Sequence, residues 1–120
     1  MKKLLVSLVM FGVVAYPSMA MAQTIIYGTS GDDVLHANQT SPRGAQTIYG
    51  LQGDDRIWGG KGNDTVFGGN GNDRLHSYHA GKDTLNGGHG WDICVIAKDS
   101  PDVVISCEVI RYRHKQGNGR

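Results

Sequence analysis

Surplus charge of either sign is nearly missing from this 120-residue chain, where 12 Lys and Arg stand against 11 Asp and Glu for a net charge of +1. A chain so close to neutral has no whole-molecule attraction to nucleic acid or to a membrane surface, and no nucleic-acid partner is expected. Cysteine is scarce: only Cys94 and Cys107 occur, and two thiols lack the further Cys or His spacing of a zinc site. Catalytic signatures are absent. There is no GxSxG, no HExxH and no glycine loop ending in Gly-Lys-Ser/Thr, the patterns that would announce a nucleophile, a metalloprotease or a phosphate cradle. The five histidines (36, 76, 79, 89 and 114) stand on turns and outward positions with no carboxylate placed to complete a triad. The length allows one domain, too short for a repeat array and a separate catalytic domain together, so the chain reads as a non-enzyme.

Glycine, by contrast, is abundant, with 18 residues, about twice the usual share. A glycine inside a helix costs about 1 kcal/mol relative to alanine, which excludes a helical bundle. The glycine spacing superficially matches dinucleotide-binding loops, but those need a long helix after the turn and none follows here.

Residues 1–22, MKKLLVSLVMFGVVAYPSMAMA, stand apart from the rest. Lys2 and Lys3 give a positive start, Leu4 to Tyr16 an apolar run, and Ala20-Met21-Ala22 a small-x-small cleavage signature. The run is too short for a permanent bilayer span, so it reads as a signal peptide, and no membrane span is expected in the mature chain. Cleavage after Ala22 removes two lysines and turns the net charge from +1 to −1. The expected destination is outside the cell, with the periplasm as the other oxidising compartment. Export favours pairing Cys94 with Cys107, the alternative being a soft-metal pair.

A nine-residue period runs through the middle. In register the chain gives GTSGDDVLH (28–36), GLQGDDRIW (50–58), GGKGNDTVF (59–67), GGNGNDRLH (68–76), YHAGKDTLN (78–86) and GGHGWDICV (87–95). SPRGAQTIY (41–49) is a degenerate copy with Gln46 in the acidic position, residues 37–40 and Ser77 are insertions, and TIIYG (24–28) leads in with Ile26. Glycines at positions one, two and four allow turns through φ > 0. Position six is acidic in Asp33, Asp55, Asp64, Asp73, Asp83 and Asp92, and position eight is apolar in Leu35, Ile48, Ile57, Val66, Leu75, Leu85 and Cys94. A six-residue turn followed by a three-residue strand with its middle side chain inward fits this pattern. Two units make one coil, and stacked coils form two parallel sheets.

The copies resemble the RTX, or hemolysin-type, calcium-binding nonapeptide repeat, GGxGxDxUx. The resemblance implies an all-β parallel β-roll, a two-sheet β-solenoid of about seven nonapeptide rungs over 23–95. It also implies calcium between the turns of successive coils, held by turn carbonyls and the repeat aspartates. Carried onto this chain, the metal set is Asp33; Gly50, Gly53 and Asp55; Gly59, Gly60, Gly62 and Asp64; Gly68, Gly69, Gly71 and Asp73; Gly81 and Asp83; Gly87, Gly88, Gly90 and Asp92. Many relatives carry an uncleaved C-terminal secretion signal and an attached catalytic or pore-forming domain; this chain has an N-terminal leader instead and no such domain. Small secreted relatives often carry a similar cysteine pair.

The residues argue for the metal independently. Alternate rungs stack, so Asp33, Asp55, Asp73 and Asp92 share one edge of the roll, and Gln46, Asp64 and Asp83 the other. Carboxylates about 4.8 Å apart repel one another, and a hard divalent ion with oxygen ligands removes the repulsion. Calcium suits such a site better than magnesium, which demands tight octahedral geometry. Three or four ions are expected, with Asp55/Asp73 and Asp73/Asp92 the best-formed pairs and Gln46/Asp64 the weakest.

A thin core of single aliphatic residues per strand cannot offset the entropy of ordering the array, so folding and metal binding should be coupled. Residues 96–113 read as two short strands around a turn at Ser100-Pro101, a C-terminal β cap stapled by Cys107 to Cys94, and 114–120 as a disordered polar tail. On one sheet the outward residues Arg56, Trp58, Arg74 and His76 form a ledge. The plain reading is strand support by stacked side chains; the sharper one is a calcium-dependent module for an anionic surface polysaccharide or other polyanion, with arginines on the anion and Trp58 flat on a sugar.

Overall fold

The computed structural model describes residues 23–37, 44–77 and 81–114. The leader, Tyr78 and His79, and all of the tail beyond His114 lie outside the described residues.

Isolated position-eight aliphatics alternate with polar neighbours, and the strands follow that alternation. They are β1 (Thr24–Tyr27), β2 (Val34–His36), β3 (Gln46–Gln52), β4 (Arg56–Trp58), β5 (Thr65–Asn70), β6 (Arg74–His76), β7 (Thr84–His89), β8 (Ile93–Ala97), β9 (Val103–Ile105) and β10 (Val109–Arg113). Odd strands form one five-stranded sheet in the order β1-β3-β5-β7-β9, and even strands the other, β10-β8-β6-β4-β2. Every pairing is parallel. The protein is an all-β, two-sheet parallel β-solenoid of about four turns, and no helix occurs among the described residues.

The register puts position eight in one file per sheet. Ile26, Ile48, Val66, Leu85 and Val104 align across the odd sheet; Leu35, Ile57, Leu75, Cys94 and Ile110 align across the even one. Ile48, Ile57, Val66, Leu75, Leu85 and Cys94 are fully buried, with Ile26, Leu35, Val104 and Cys107 packed against them. The core is therefore a single layer of aliphatic side chains between two sheets.

Two details differ from the sequence reading. Odd strands β3, β5 and β7 run on into the glycine turn, pairing Leu51 with Gly69 and Gly69 with Gly88, so the two edges of the roll are not equivalent. The segment 96–113 covers the edges of β7 and β8 as one more coil, and its strands do not flank Ser100-Pro101. Both of its new strands follow Pro101, β9 pairing with β7 and β10 with β8 in the same parallel sense. The Cys94–Cys107 disulfide is formed, with Cα atoms 5.9 Å apart. It ties the turn before β10 to the core residue of β8 and closes a loop of 13 residues, which contributes about 3 kcal/mol on the chain-entropy model.

Candidate metal centre

The turns stack in register because each backbone ladder continues through them. At one edge the Asp55 N–H donates to Oδ1 of Asp73 at 2.8 Å, and the Asp73 N–H to Oδ1 of Asp92 at 2.7 Å. Above them the Asp33 N–H reaches Asp55 Oδ1 at 2.8 Å, and below them the Asp92 N–H reaches Glu108 Oε2 at 2.6 Å. The opposite edge repeats the arrangement: Gln46 N–H to Asp64 at 2.9 Å, Asp64 N–H to Asp83 at 2.7 Å, and Asp83 N–H to Asp102 at 2.9 Å. Asp55, Asp64, Asp73, Asp83 and Asp92 thus each spend Oδ1 on the previous coil, whereas Oδ1 of Asp33 accepts from the Thr29 hydroxyl of its own turn. The two columns assigned from the spacing are the ones present, and each gains a member from the C-terminal segment, Glu108 and Asp102.

The second carboxylate oxygen decides what the site can do. Oδ2 of Asp55, Asp64, Asp73 and Asp92 is buried and has no hydrogen-bond partner, and all four side chains are at most 1% exposed. A buried carboxylate oxygen left unsatisfied costs about 1–3 kcal/mol or more. Asp83 and Asp33 differ: the Ser77 hydroxyl donates to Asp83 Oδ2 at 2.5 Å, and Thr29 donates through its N–H and hydroxyl to Asp33 Oδ2. Ser77, a one-residue insertion in the repeat, thereby supplies Asp83 with an internal partner.

Glycine forms the rest of the cradle. Positions two and four carry the left-handed backbone, with φ of 106° at Gly69 and 126° at Gly71, and similar values at Gly60, Gly62, Gly88, Gly90 and Gly53. Position one does not. Gly50, Gly68 and Gly87 are glycine because a Cβ would overlap Oδ2 of their own repeat's aspartate and the carbonyl oxygen of Gly68, Gly87 or Ser106 on the next coil. A Cβ on Gly71, Gly81 or Gly90 would likewise meet the carbonyl of Gly53, Gly62 or Gly71. Gly59 is roomier, its Cβ position lying 3.4 Å from Asp64 Oδ2. The unpartnered oxygens therefore sit beside columns of turn carbonyls with no side chain between them.

Burial also shifts the acidity of these groups. It raises the Asp64 carboxyl to about 7 against the hydrogen bond from Gln46, with the charge of Asp83 adding to the rise. It raises Asp73 to about 6, again by burial first, with Asp92 and Asp55 adding repulsion. Asp55 and Asp92 move up for the same reason. These carboxylates are placed where a negative charge is poorly solvated, which is the environment a divalent cation corrects. Among the described residues no three carboxylates, imidazoles or thiols converge. The donor set is one or two carboxylates with backbone carbonyls, all hard oxygen, as calcium prefers.

A second ladder escaped the sequence reading. Position-five side chains bond the following coil: Asp54 N–H to Asp32 Oδ1, Asn72 N–H to Asp54 Oδ1 and Trp91 N–H to Asn72 Oδ1, each at 2.8 Å. Its signal was available in the Asp/Asn run at that position.

The outward ledge is also rearranged. Trp58 is stacked on both faces, by His36 at 4.3 Å and His76 at 4.9 Å, so its ring is not open to a sugar. Burial and the nearby Arg74, Arg113 and Arg56 lower the His76 pKa to about 4, leaving it neutral. Arg56 and Arg74 share a groove of about 380 Å³ with Asp32, Asp33, Asp54 and Asp55. The other sheet carries a matching stack of Tyr27, Tyr49 and Phe67, with centroids 5.2 and 5.0 Å apart.

The family model for the RTX calcium-binding nonapeptide repeat matches four copies over residues 24–39, 43–75 and 79–95. More than half of the chain is covered, and the chain belongs to this family of calcium-binding repeats, which is a structural repeat and not an enzyme family. Neither a curated protein nor a solved structure gives a match.

Proposed function

We propose that this protein is an exported calcium-binding roll in which calcium completes the turns and drives the chain to fold. One observation carries the reading: four fully buried carboxylate oxygens, on Asp55, Asp64, Asp73 and Asp92, have no partner. Asp55, Asp73 and Asp92, with carbonyls from the glycine turns at 50–55, 68–73 and 87–92, would hold ions on one edge. Asp64 with the 59–64 turn would hold one on the other, giving three or four in all. Calcium would supply positive charge between coils; the chain supplies the oxygen donors and, once folded, the register that stacks them. The leader at 1–22 supports export, and the formed disulfide fits an oxidising compartment.

Calorimetric titration tests this reading. Calcium should bind to the exported chain with several equivalents, and the triple variant Asp55→Asn, Asp73→Asn, Asp92→Asn should lose most of them. Full binding by the triple variant would refute the assignment.

A second reading, retention of an anionic polysaccharide, keeps some support from Arg56 and Arg74 aligned on adjacent strands. Their groove is shared with four carboxylates, so calcium would have to neutralise those first. Calcium-dependent retention on an immobilised polyanion, lost in Arg56→Ala with Arg74→Ala, is its test.

A further inference from the structure

The two ends of the roll carry most of its exposed apolar surface. Nine large apolar side chains are exposed among the described residues, and seven belong to the end strands β1, β2, β9 and β10; Leu51 and Trp91 are the others. Ile25 is 51% exposed, Tyr27 64% and Val34 64% at the leading end; Val103 is 40%, Ile105 44% and Ile110 45% at the trailing end. No strand pairs beyond any of the four among the described residues.

Residue chemistry changes at the ends in register. In the odd sheet the outward file reads Ile25, Thr47, Thr65, Thr84, Val103: polar within, aliphatic at both ends. The neighbouring file reads Tyr27, Tyr49, Phe67, Asn86, Ile105. In the even sheet the file reads Val34, Arg56, Arg74, Ile93, Val109, with both arginines inside and valine at each end. An edge strand facing water is ordinarily protected by charge or proline. Here β1, β2 and β9 carry no Lys, Arg, Asp, Glu or proline, and only β10 is charged, through Arg111 and Arg113; valine, isoleucine and tyrosine fill most of the rest.

We propose that the trailing end of one copy stacks on the leading end of a second copy, extending both sheets head to tail. The occupant is a second copy because the translation relating successive coils also relates the two ends. It sets β9 beside β1 and β10 beside β2, parallel in both sheets, with Val103 against Ile25, Ile105 against Tyr27 and Val109 against Val34. The ladder continues in the same sense. Within one chain the carbonyls of Asp33, Asp55, Asp73 and Asp92 accept from the N–H groups of Arg56, Arg74, Ile93 and Val109 at 2.8 to 3.1 Å. The carbonyl of Glu108 is next in that file and meets the N–H of Val34 of the second copy. Such an interface uses two different surfaces and does not close on itself, so it gives open linear assemblies.

Sedimentation velocity in calcium tests the proposal on protein expressed from the full sequence and recovered from the exported fraction. Wild type should form species that lengthen with concentration. Ile25→Lys blocks the leading end and Val103→Lys the trailing end; each variant alone should sediment as a monomer. Mixed together they should give a dimer and nothing longer, since one good end of each kind remains. Both positions are exposed, and circular dichroism in calcium confirms that each variant is folded; Val34→Lys and Val109→Lys form a second pair should either fail. Wild type that stays monomeric at every concentration overturns the proposal. So does a single variant that still dimerises, because that contact would join like ends, and so does a mixture that stays monomeric.

Discussion

Asp73 accepts a hydrogen bond from the backbone N–H of Asp55 through Oδ1, at 2.8 Å, while its own Oδ2 is buried with no partner. One oxygen locks successive coils together and the other is left for a cation. The division of labour separates what the protein chain does unaided from what it needs a metal to do.

Asp73 lies between Asp55 and Asp92 in its column, whereas Oδ2 of Asp83 already accepts from Ser77. Asp73→Ala should therefore shift the midpoint of calcium-driven folding more than Asp83→Ala does, by roughly tenfold, or about 1.4 kcal/mol. Asp73→Asn keeps an oxygen for the Asp55 N–H and should still shift the midpoint, isolating the charge. Equal midpoints for the two alanine variants would show that the columns do not share ions as described.

Leu51 has φ of 82° at a repeat position where Gly60, Gly69 and Gly88 take similar angles. A bulky residue held in the left-handed region costs about 1 kcal/mol or more. Leu51→Gly should raise the melting temperature in calcium by a few degrees. Gly69→Ala should lower it, since its Cβ would overlap the Leu51 carbonyl. A melting temperature lowered by Leu51→Gly, or raised by Gly69→Ala, would contradict the strain argument.

Much of the fold was legible in the sequence because each feature of the period has one physical cause. Position eight must be apolar, since it is the only inward residue of a short strand, and Ile48, Val66 and Leu85 were found there. The alternation of edges followed from the same count and placed Asp55, Asp73 and Asp92 together. Asp102 and Glu108 were not legible as column members. Their turns, Ser100-Pro101-Asp102 and Ser106-Cys107-Glu108, have no glycine to mark the repeat, and the second is only three residues long between β9 and β10. The position-one glycines were visible, but their reason was not. Gly68 looks like a turn residue in sequence, and only the stacked coil shows that an Asp73 oxygen and a carbonyl fill the space of its Cβ. The plain reading of Trp58, strand support by stacked side chains, fits His36 and His76 lying flat against both its faces; the alternative needed an open face, and a sequence shows outwardness but not what covers it.

The pH response of the metal-free chain follows from the buried carboxylates. Asp64 and Asp73 titrate at about 7 and about 6 when folded, against 3.8 for the unperturbed group. Between these values the folded chain holds more protons than the unfolded one, so metal-free stability falls as pH rises from about 4 to 7. The unfolded chain and the calcium-loaded roll both hold these carboxylates ionised above about pH 5, so the midpoint of calcium-driven folding should change little from there to pH 7. Circular dichroism in chelator at stepped pH checks the first statement and calcium titrations at each pH the second. A metal-free β signal that strengthens toward pH 7 would have the wrong sign.

The central claim is that calcium is what lets four buried, unpartnered carboxylates coexist in a folded roll. Far-ultraviolet circular dichroism of the exported chain at neutral pH, in chelator and then with calcium added, tests it most directly. The account predicts a largely unordered spectrum in chelator, a cooperative rise of β signal with calcium, and a much smaller response to magnesium at equal concentration. The same β spectrum and the same melting temperature with and without chelator would contradict it.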